Sequence, residues 1–417
     1  MDSNLSADRP TFVTHLECSM TGERFEADRV HNLSRVGRPL LVRYDLSALA
    51  KAISKHELRE RPMDLWRYRE FLPVRHAEHI VSLGENVTPL VPCARTQKGL
   101  GATGELFIKD EGRLPTGSFK ARGLCIAVSM AVELGLKRLA MPTNGNAGAA
   151  MSAYAARAGI TSFIFCPHDT PQTNLREIAI QGAQVFSVNG LINDCGKIVA
   201  QGKEVMKWFD LSTLKEPYRI EGKKTMGLEL AEQFGWELPD VIFYPTGGGT
   251  GLIGMVKAFD ELEAIGWIGS KRPRMVAVQA SGCAPIVRAW EQGHEHAELW
   301  ENAHTIAWGI RVPAAVGDFL IIRGIRSTNG FGSIVTDEEI LAARAEMAAN
   351  EGFLLCPEGA ATYAAYKNEL KSGRIQKSDR VLLFNCASGL KYDLPPTTRS
   401  CDRLKPVDFE AMLGGLP

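Results

Sequence analysis

The chain has 417 residues, 45% hydrophobic and 23% charged. That composition is ordinary for a globular protein, and the length calls for two domains rather than one core. Its 48 basic and 48 acidic side chains cancel to a formal net charge of zero, which argues against nucleic-acid or membrane-surface binding, where a basic excess is needed. Nine irregularly spaced cysteines with no C-x-x-C pair argue against a disulfide framework and point to a reducing, cytoplasmic setting. The first ten residues, MDSNLSADRP, show no basic-then-apolar leader pattern, and no run of 18 apolar residues occurs, so no membrane span is expected.

In chain order, residues 1–60 are mixed and polar, with Cys18 and His31 among Gly and Arg. LWRYREFLPV (65–74) and the loop-like SLGE (82–85) and TPL (88–90) follow. From residue 106 onward, short β-like runs alternate with amphipathic helical runs. Strands are predicted at 106–109, 138–142, 161–167, 183–188, 241–248, 274–280 and 380–387. Helices are predicted at 118–134, 147–158, 173–181, 194–209, 224–234, 251–264, 338–350 and 359–370, with Ser118 as N-cap of the first. This alternation predicts an α/β fold of open parallel sheets covered on both faces. Ligands then belong at the carboxyl ends of strands, where three unusual loops fall.

Thr143-Asn-Gly-Asn-Ala-Gly148 lies between a strand and a helix of small residues. Its Asn and Gly suit a tight turn, and the helix amides behind it suit a carboxylate or phosphate. Thr246-Gly-Gly-Gly-Thr-Gly251 is an anion nest ahead of a helix, and phosphate is the natural guest. Gly249-Thr-Gly251-Leu-Ile-Gly254 spells G-x-G-x-x-G, but the next strand ends Val278-Gln279-Ala280 without the acid that a nicotinamide dinucleotide needs. Cys386-Ala-Ser-Gly-Leu-Lys391 closes the last strand; a buried inert thiol is the ordinary reading, and a partner for a pyridine nitrogen the functional one. Upstream, Pro115-Thr-Gly-Ser-Phe-Lys120 puts a lysine at a helix start, where the dipole disfavours a cation by up to about 1 kcal/mol. A solvated surface lysine is the plain reading; a lysine made nucleophilic for Schiff-base chemistry is the other. His294 and His296, flanking Glu295, read as a solvated turn.

Taken in order, PTGSFK (115–120), NGNAGAA (144–150), PTGGGTG (245–251) and CASGLK (386–391) resemble the fold-type II pyridoxal-phosphate enzymes, and most closely the threonine synthase family. LWRY (65–68), SLGE with TPL, FIKDEGRLPTGSFK (107–120), YRIEGKKT (218–225) and VQASGCAP (278–285) are similar to the same family, so the resemblance runs from about residue 15 to 395. It implies two open-sheet α/β domains of the tryptophan synthase beta-like architecture. The expected division is an N-terminal segment at 1–85, a large cofactor-binding domain at 86–120 and 226–417, and a smaller inserted domain at 121–225. The cofactor would lie between the last two.

The resemblance also implies roles. Lys120 would hold pyridoxal 5'-phosphate as a Schiff base, with Phe119 against its ring and Asn146 at its 3-oxygen. Gly247, Gly248, Gly249, Thr250 and Gly251 would cradle its phosphate, and Cys386 would face the pyridine nitrogen where threonine synthases carry Thr. Thr143, Asn144 and Gly145 would take the substrate carboxylate. Lys109, Arg113, Thr116, Ser118 and Arg122 would serve a leaving phosphate. The implied reaction converts O-phospho-L-homoserine and water to L-threonine and phosphate. Two departures open alternatives: Ala121 stands where threonine synthases usually have Asp, and both SFKARG and Cys386 are similar to serine/threonine dehydratases. An ammonia-lyase acting on threonine or serine, or a β-replacement on O-phosphoserine, therefore stays open. The N-terminal segment resembles a zinc ribbon in which Cys18 alone remains; one ligand cannot hold a structural zinc, so no metal is expected. A homodimer is implied by analogy with the family.

Overall fold

In the larger sheet the strands VIFYP and VLLFN, Val241–Pro245 and Val381–Asn385, are buried along their whole length, as expected of parallel strands covered on both faces. The computed structural model describes residues 11–394 and 401–410. The leader reading of the first ten residues, and the ends of the outer domain ranges, lie outside the described residues. The larger sheet runs in the order Phe331–Val335, Arg274–Ala280, Val241–Pro245, Val381–Asn385, Leu106–Asp110, Leu90–Pro92. All its neighbours are parallel except Leu90–Pro92, which is antiparallel to Leu106–Asp110. A second, wholly parallel sheet runs Gln184–Val188, Thr161–Pro167, Arg138–Pro142, Phe209–Asp210.

Ahead of these, Val13–Cys18, Arg24–Phe25 and Leu40–Tyr44 form a small antiparallel sheet. Its Cys18 is buried and donates to Ser34 Oγ at 3.1 Å. Among the described residues no cluster of three His, Cys, Asp or Glu is poised to hold a metal, and no helix is long and apolar enough to cross a membrane.

Several elements differ from expectation. The predicted helix at 194–209 is Ile192–Met206; Lys207 turns left-handed at φ 52° and Phe209–Asp210 becomes a sheet edge. The predicted helix at 224–234 starts at Tyr218, because its charged residues are inside. Glu221 and Lys224 pair at 2.6 Å with both side chains fully buried, and such pairing erases the hydropathic period. The strand Phe331–Val335 and the helices Pro285–Glu291 and Asp318–Ser327 carry no sequence signal strong enough to separate them from loop. Ser118 is not an N-cap: it bridges Ala387 in extended conformation, and the helix begins at Lys120 with Phe119 as its cap.

The strands Arg138–Pro142, Val241–Pro245 and Val381–Asn385 all end toward one cleft between the two larger sheets. The helices Asn146–Ala158, Thr250–Ala264 and Lys120–Glu133 start there.

Candidate active site

A cavity of about 410 Å³ opens in that cleft, lined from one side by 142–147 and 192–200 and from the other by 244–250, 308–316 and Cys386. That is a small-molecule volume. Lys120 is on its wall. The Phe119 amide donates to Cys386 O at 2.9 Å, which fixes the helix start against the last strand's loop. Burial lowers the Lys120 amine to a pKa of about 8, with Arg219's charge acting in the same direction. A fraction of this lysine is therefore neutral, and nucleophilic, near neutral pH. Its Nζ stands 3.9 Å from the Phe119 ring centroid. On that ring also rests Lys223, a buried amine at 3.9 Å that donates to Phe119 O; burial holds its pKa well below the usual lysine range.

The glycine loop lines the cavity from Gly247 to Thr250. Gly249 caps the helix Thr250–Ala264 at φ +70°, and a Cβ there would strike Ile321. This position thus requires glycine. The first-turn amides of that helix lack intrahelical acceptors and favour an anion. Gly251 packs on the Tyr244 hydroxyl and is not on the cavity wall.

Thr143, Asn144, Gly145 and Asn146 all line the cavity, but several of their polar groups are engaged. Thr143 Oγ1 accepts from the Gly145 and Gly148 amides at 3.0 Å each. Asn144 Nδ2 crosses to Trp308 O and Arg311 O at 3.3 and 3.2 Å. Gly145 holds φ +132°, where a Cβ would meet Asn174 Cγ at 2.7 Å. Asn146 Nδ2 donates to the Tyr392 hydroxyl at 3.1 Å.

The expected leaving-phosphate set is corrected. Arg122 is fully buried, with Nε on Glu111 at 2.6 Å and Nη1 on Glu229 at 2.8 Å. Two residues along a helix is a rotation of roughly 200°, so Lys120 on the cavity wall puts Arg122 behind it. Lys109 is sealed against the same Glu229. Burial alone would raise Glu229, but Arg122 and Lys109 overcome it and pull its pKa to about 2. Arg113 pairs with Asp110 at 2.9 Å and is 72% exposed, outside the cavity. Ser118 and Thr116 are also off the wall, each with a buried hydroxyl lacking a partner.

A different cationic group lines the cavity. Arg219, Lys215 and Lys197 line the cavity with Ser212, Thr213 and Asn193. Arg219 is 2% exposed; Nη1 donates to Leu211 O at 2.8 Å, and its Nε is buried with no partner. It falls within YRIEGKKT, where nothing in the sequence alone sets it apart from its charged neighbours. The pattern Asn193, Gly196, Lys197, Ala200, one face of a helix, is the signal that marks the neighbouring wall.

These features fit pyridoxal phosphate: a buried, depressed lysine, a helix N-terminus behind a glycine loop that a Cβ would block, and a ring-sized cavity between them. Residues 81–387 match the family described as pyridoxal-phosphate dependent enzyme. The chain is similar to the threonine synthase of Methanocaldococcus jannaschii, 34% identical over 90% of this chain and 92% of that protein. It is also similar to that of Halalkalibacterium halodurans, 33% identical over 85% of this chain and all (100%) of that one. Among solved structures, the processed form of threonine deaminase isoform 2 from Solanum lycopersicum superposes with TM-score 0.63 at 19% identity, covering 81% of this chain and 85% of that one. Maize serine racemase gives 0.62 at 21%, covering 73% and 88%; both show a shared fold. With the cofactor geometry and two such relatives in agreement, the chain belongs to the threonine synthase family of pyridoxal-phosphate-dependent enzymes.

Proposed function

We propose that this lyase converts O-phospho-L-homoserine and water to L-threonine and inorganic phosphate, with Lys120 as its catalytic lysine. The observation that carries the reading is Arg219, a buried cation with an unpartnered Nε on the cavity wall. It shares the cavity with the glycine loop that would serve the cofactor's own phosphate. A site that eliminates phosphate from its substrate needs a second anion position, and a guanidinium is well matched to one.

Bound pyridoxal phosphate supplies the electron sink that lets a proton leave the carbon beside the substrate's amino group. The Lys120 amine, at a pKa of about 8, is suited both to take that proton and to return one. Arg219 and Lys215, beside Ser212 and Thr213, hold the phosphate as it departs. Asn146 would lie at the ring's 3-oxygen, and Thr143, Asn144 and Gly145 would face the substrate's carboxylate. Burial pushes the Cys386 thiol up, so it would face the ring as a neutral group.

The reading also makes the enzyme a cytoplasmic homodimer without nucleic-acid partners. Its support is the family resemblance, the balanced charge and the nine free thiols, eight of them buried.

The test is Arg219→Gln. The expected result is a KM for O-phosphohomoserine raised at least about tenfold, the loss of one charge-assisted contact, with the cofactor's visible band unchanged. An unchanged KM contradicts the reading. The SFKARG motif favours a second reading, an ammonia-lyase on threonine or serine, which has no use for that cation; there Arg219→Gln leaves KM for threonine unaltered.

A further inference from the structure

The residues ahead of Arg219 form a strained loop. Residues 211–217 join the strand Phe209–Asp210 to the helix Tyr218–Gln233, and Ser212, Thr213 and Lys215 of this loop line the cavity with Arg219. Asp210, 5% exposed, accepts from the Ser212 amide at 2.9 Å and from the Ser212 hydroxyl. Its other oxygen lies 3.5 Å from Lys215 Nζ. Leu214, between them, stands left-handed at φ 62°, an unfavourable state for a bulky L side chain. Such a loop keeps its shape only where its surroundings over-determine it.

Asn32 supplies that outside constraint. It lies between the strands Arg24–Phe25 and Leu40–Tyr44 of the N-terminal sheet, outside the family match at 81–387 and off the cavity wall. Its Nδ2 donates to both Asp210 O and Lys215 O at 2.9 Å, so a single amide group staples the two ends of the anion loop. Its Oδ1 accepts from Lys203 Nζ at 2.7 Å. Two carbonyls at one end and an ammonium at the other are compatible with only this orientation of the amide. Lys203 belongs to the helix Ile192–Met206, whose Asn193, Lys197 and Ala200 also line the cavity. Asn32 thereby ties two segments of the wall to each other from outside.

We propose that Asn32 is a positioning residue for the anion end of the cavity: by stapling the loop it holds Ser212, Thr213 and Lys215 where the substrate's phosphate is received. The inference rests on the reading of Arg219 and its neighbours as that phosphate's site. Asn32 touches neither substrate nor cofactor. Its effect is on affinity, because donors already fixed in place bind an anion without a further ordering cost. The N-terminal segment, which has lost its metal ligands, thus keeps a part in substrate binding.

The experiment uses the holoenzyme and two variants. Asn32→Asp keeps the size of the side chain but cannot donate to either carbonyl; Asn32→Ala removes the amide altogether. Steady-state kinetics with O-phosphohomoserine and competitive inhibition by inorganic phosphate are measured, together with the cofactor's visible band. The expected result in both variants is a KM and a phosphate inhibition constant each raised about fivefold. The kcat stays within about twofold of wild type, and the band is unchanged. An unchanged KM and inhibition constant, in an enzyme whose Arg219→Gln variant does lose affinity, would overturn the inference alone. If Arg219→Gln also leaves both constants unchanged, the phosphate site falls and the inference with it. Loss of fold or of the visible band in both variants marks the contact as merely structural and overturns the inference too.

Discussion

Arg311 grips Asp169 across the mouth of the cleft, Nη1 and Nη2 reaching the two carboxylate oxygens at 2.8 and 3.1 Å. Asp169 follows the strand Thr161–Pro167 of the smaller sheet, while Arg311 follows the short helix Trp308–Ile310 on the opposite wall. Lys391 and Glu177 make a second such contact at 2.7 Å. The side-chain bonds from Arg311 hold Asp169 below the usual carboxylate range, so this latch stays charged at any pH near neutral. Its carboxylate stability is present above the ordinary aspartate pKa and fades only as pH falls through the lowered value. Asp169→Asn is expected to raise KM about fivefold, the equivalent of about 1 kcal/mol for a partly exposed pair. The melting temperature should hardly move, and steady-state kinetics with a thermal melt checks both.

As the proposed Schiff-base residue, Lys120 is expected to set the pH response of cofactor capture. A lysine lowered by burial to about 8 is mostly protonated below that pH and neutral above it. Capture of pyridoxal phosphate by apoenzyme should accelerate about tenfold per pH unit below 8 and level off above it. Arg219→Gln removes a charge that lowers this amine, so its midpoint should move up. Lys120→Ala should abolish the visible band while the apoprotein still folds. Stopped-flow absorbance across pH reads the first two, and circular dichroism the last.

Arg122 is structural. Replacing it by Met leaves Glu111 and Glu229 buried without their guanidinium, a change that costs about 3–5 kcal/mol. Denaturant unfolding should show that loss. If Arg122→Met instead folded normally and raised KM for a phosphorylated substrate, the corrected placement would be wrong.

Gly249 and Gly266 share a left-handed backbone, at φ +70° and +74°. An alanine at either costs about 1–2 kcal/mol in backbone strain. Only at 249, in the glycine loop on the cavity wall, does the new Cβ meet Ile321; at 266 nothing lies within 4 Å. Gly249→Ala should weaken cofactor affinity by more than about tenfold, and Gly266→Ala should leave it unchanged. Equilibrium binding followed by fluorescence distinguishes them.

The α/β alternation and the four loops can be read in the sequence because strands such as VIFYP and VLLFN are apolar nearly throughout and each runs into a loop of Gly, Asn, Ser or Thr. Lys120 can be read too, since a lysine at a helix start behind Thr-Gly-Ser is locally disfavoured and asks for a reason. Burial is what the sequence hides. Arg122, Lys109 and Arg219 look alike as isolated cations; only the packing shows that two are neutralised by Glu111 and Glu229 while the third lines the cavity with a buried, unpartnered Nε.

The most direct measurement incubates the purified holoenzyme with O-phospho-L-homoserine, and separately with threonine and serine, while assaying phosphate, threonine, ammonia and keto acid. The result expected is phosphate and threonine released one for one from O-phosphohomoserine. Ammonia and a keto acid from threonine or serine, with O-phosphohomoserine inert, would contradict it.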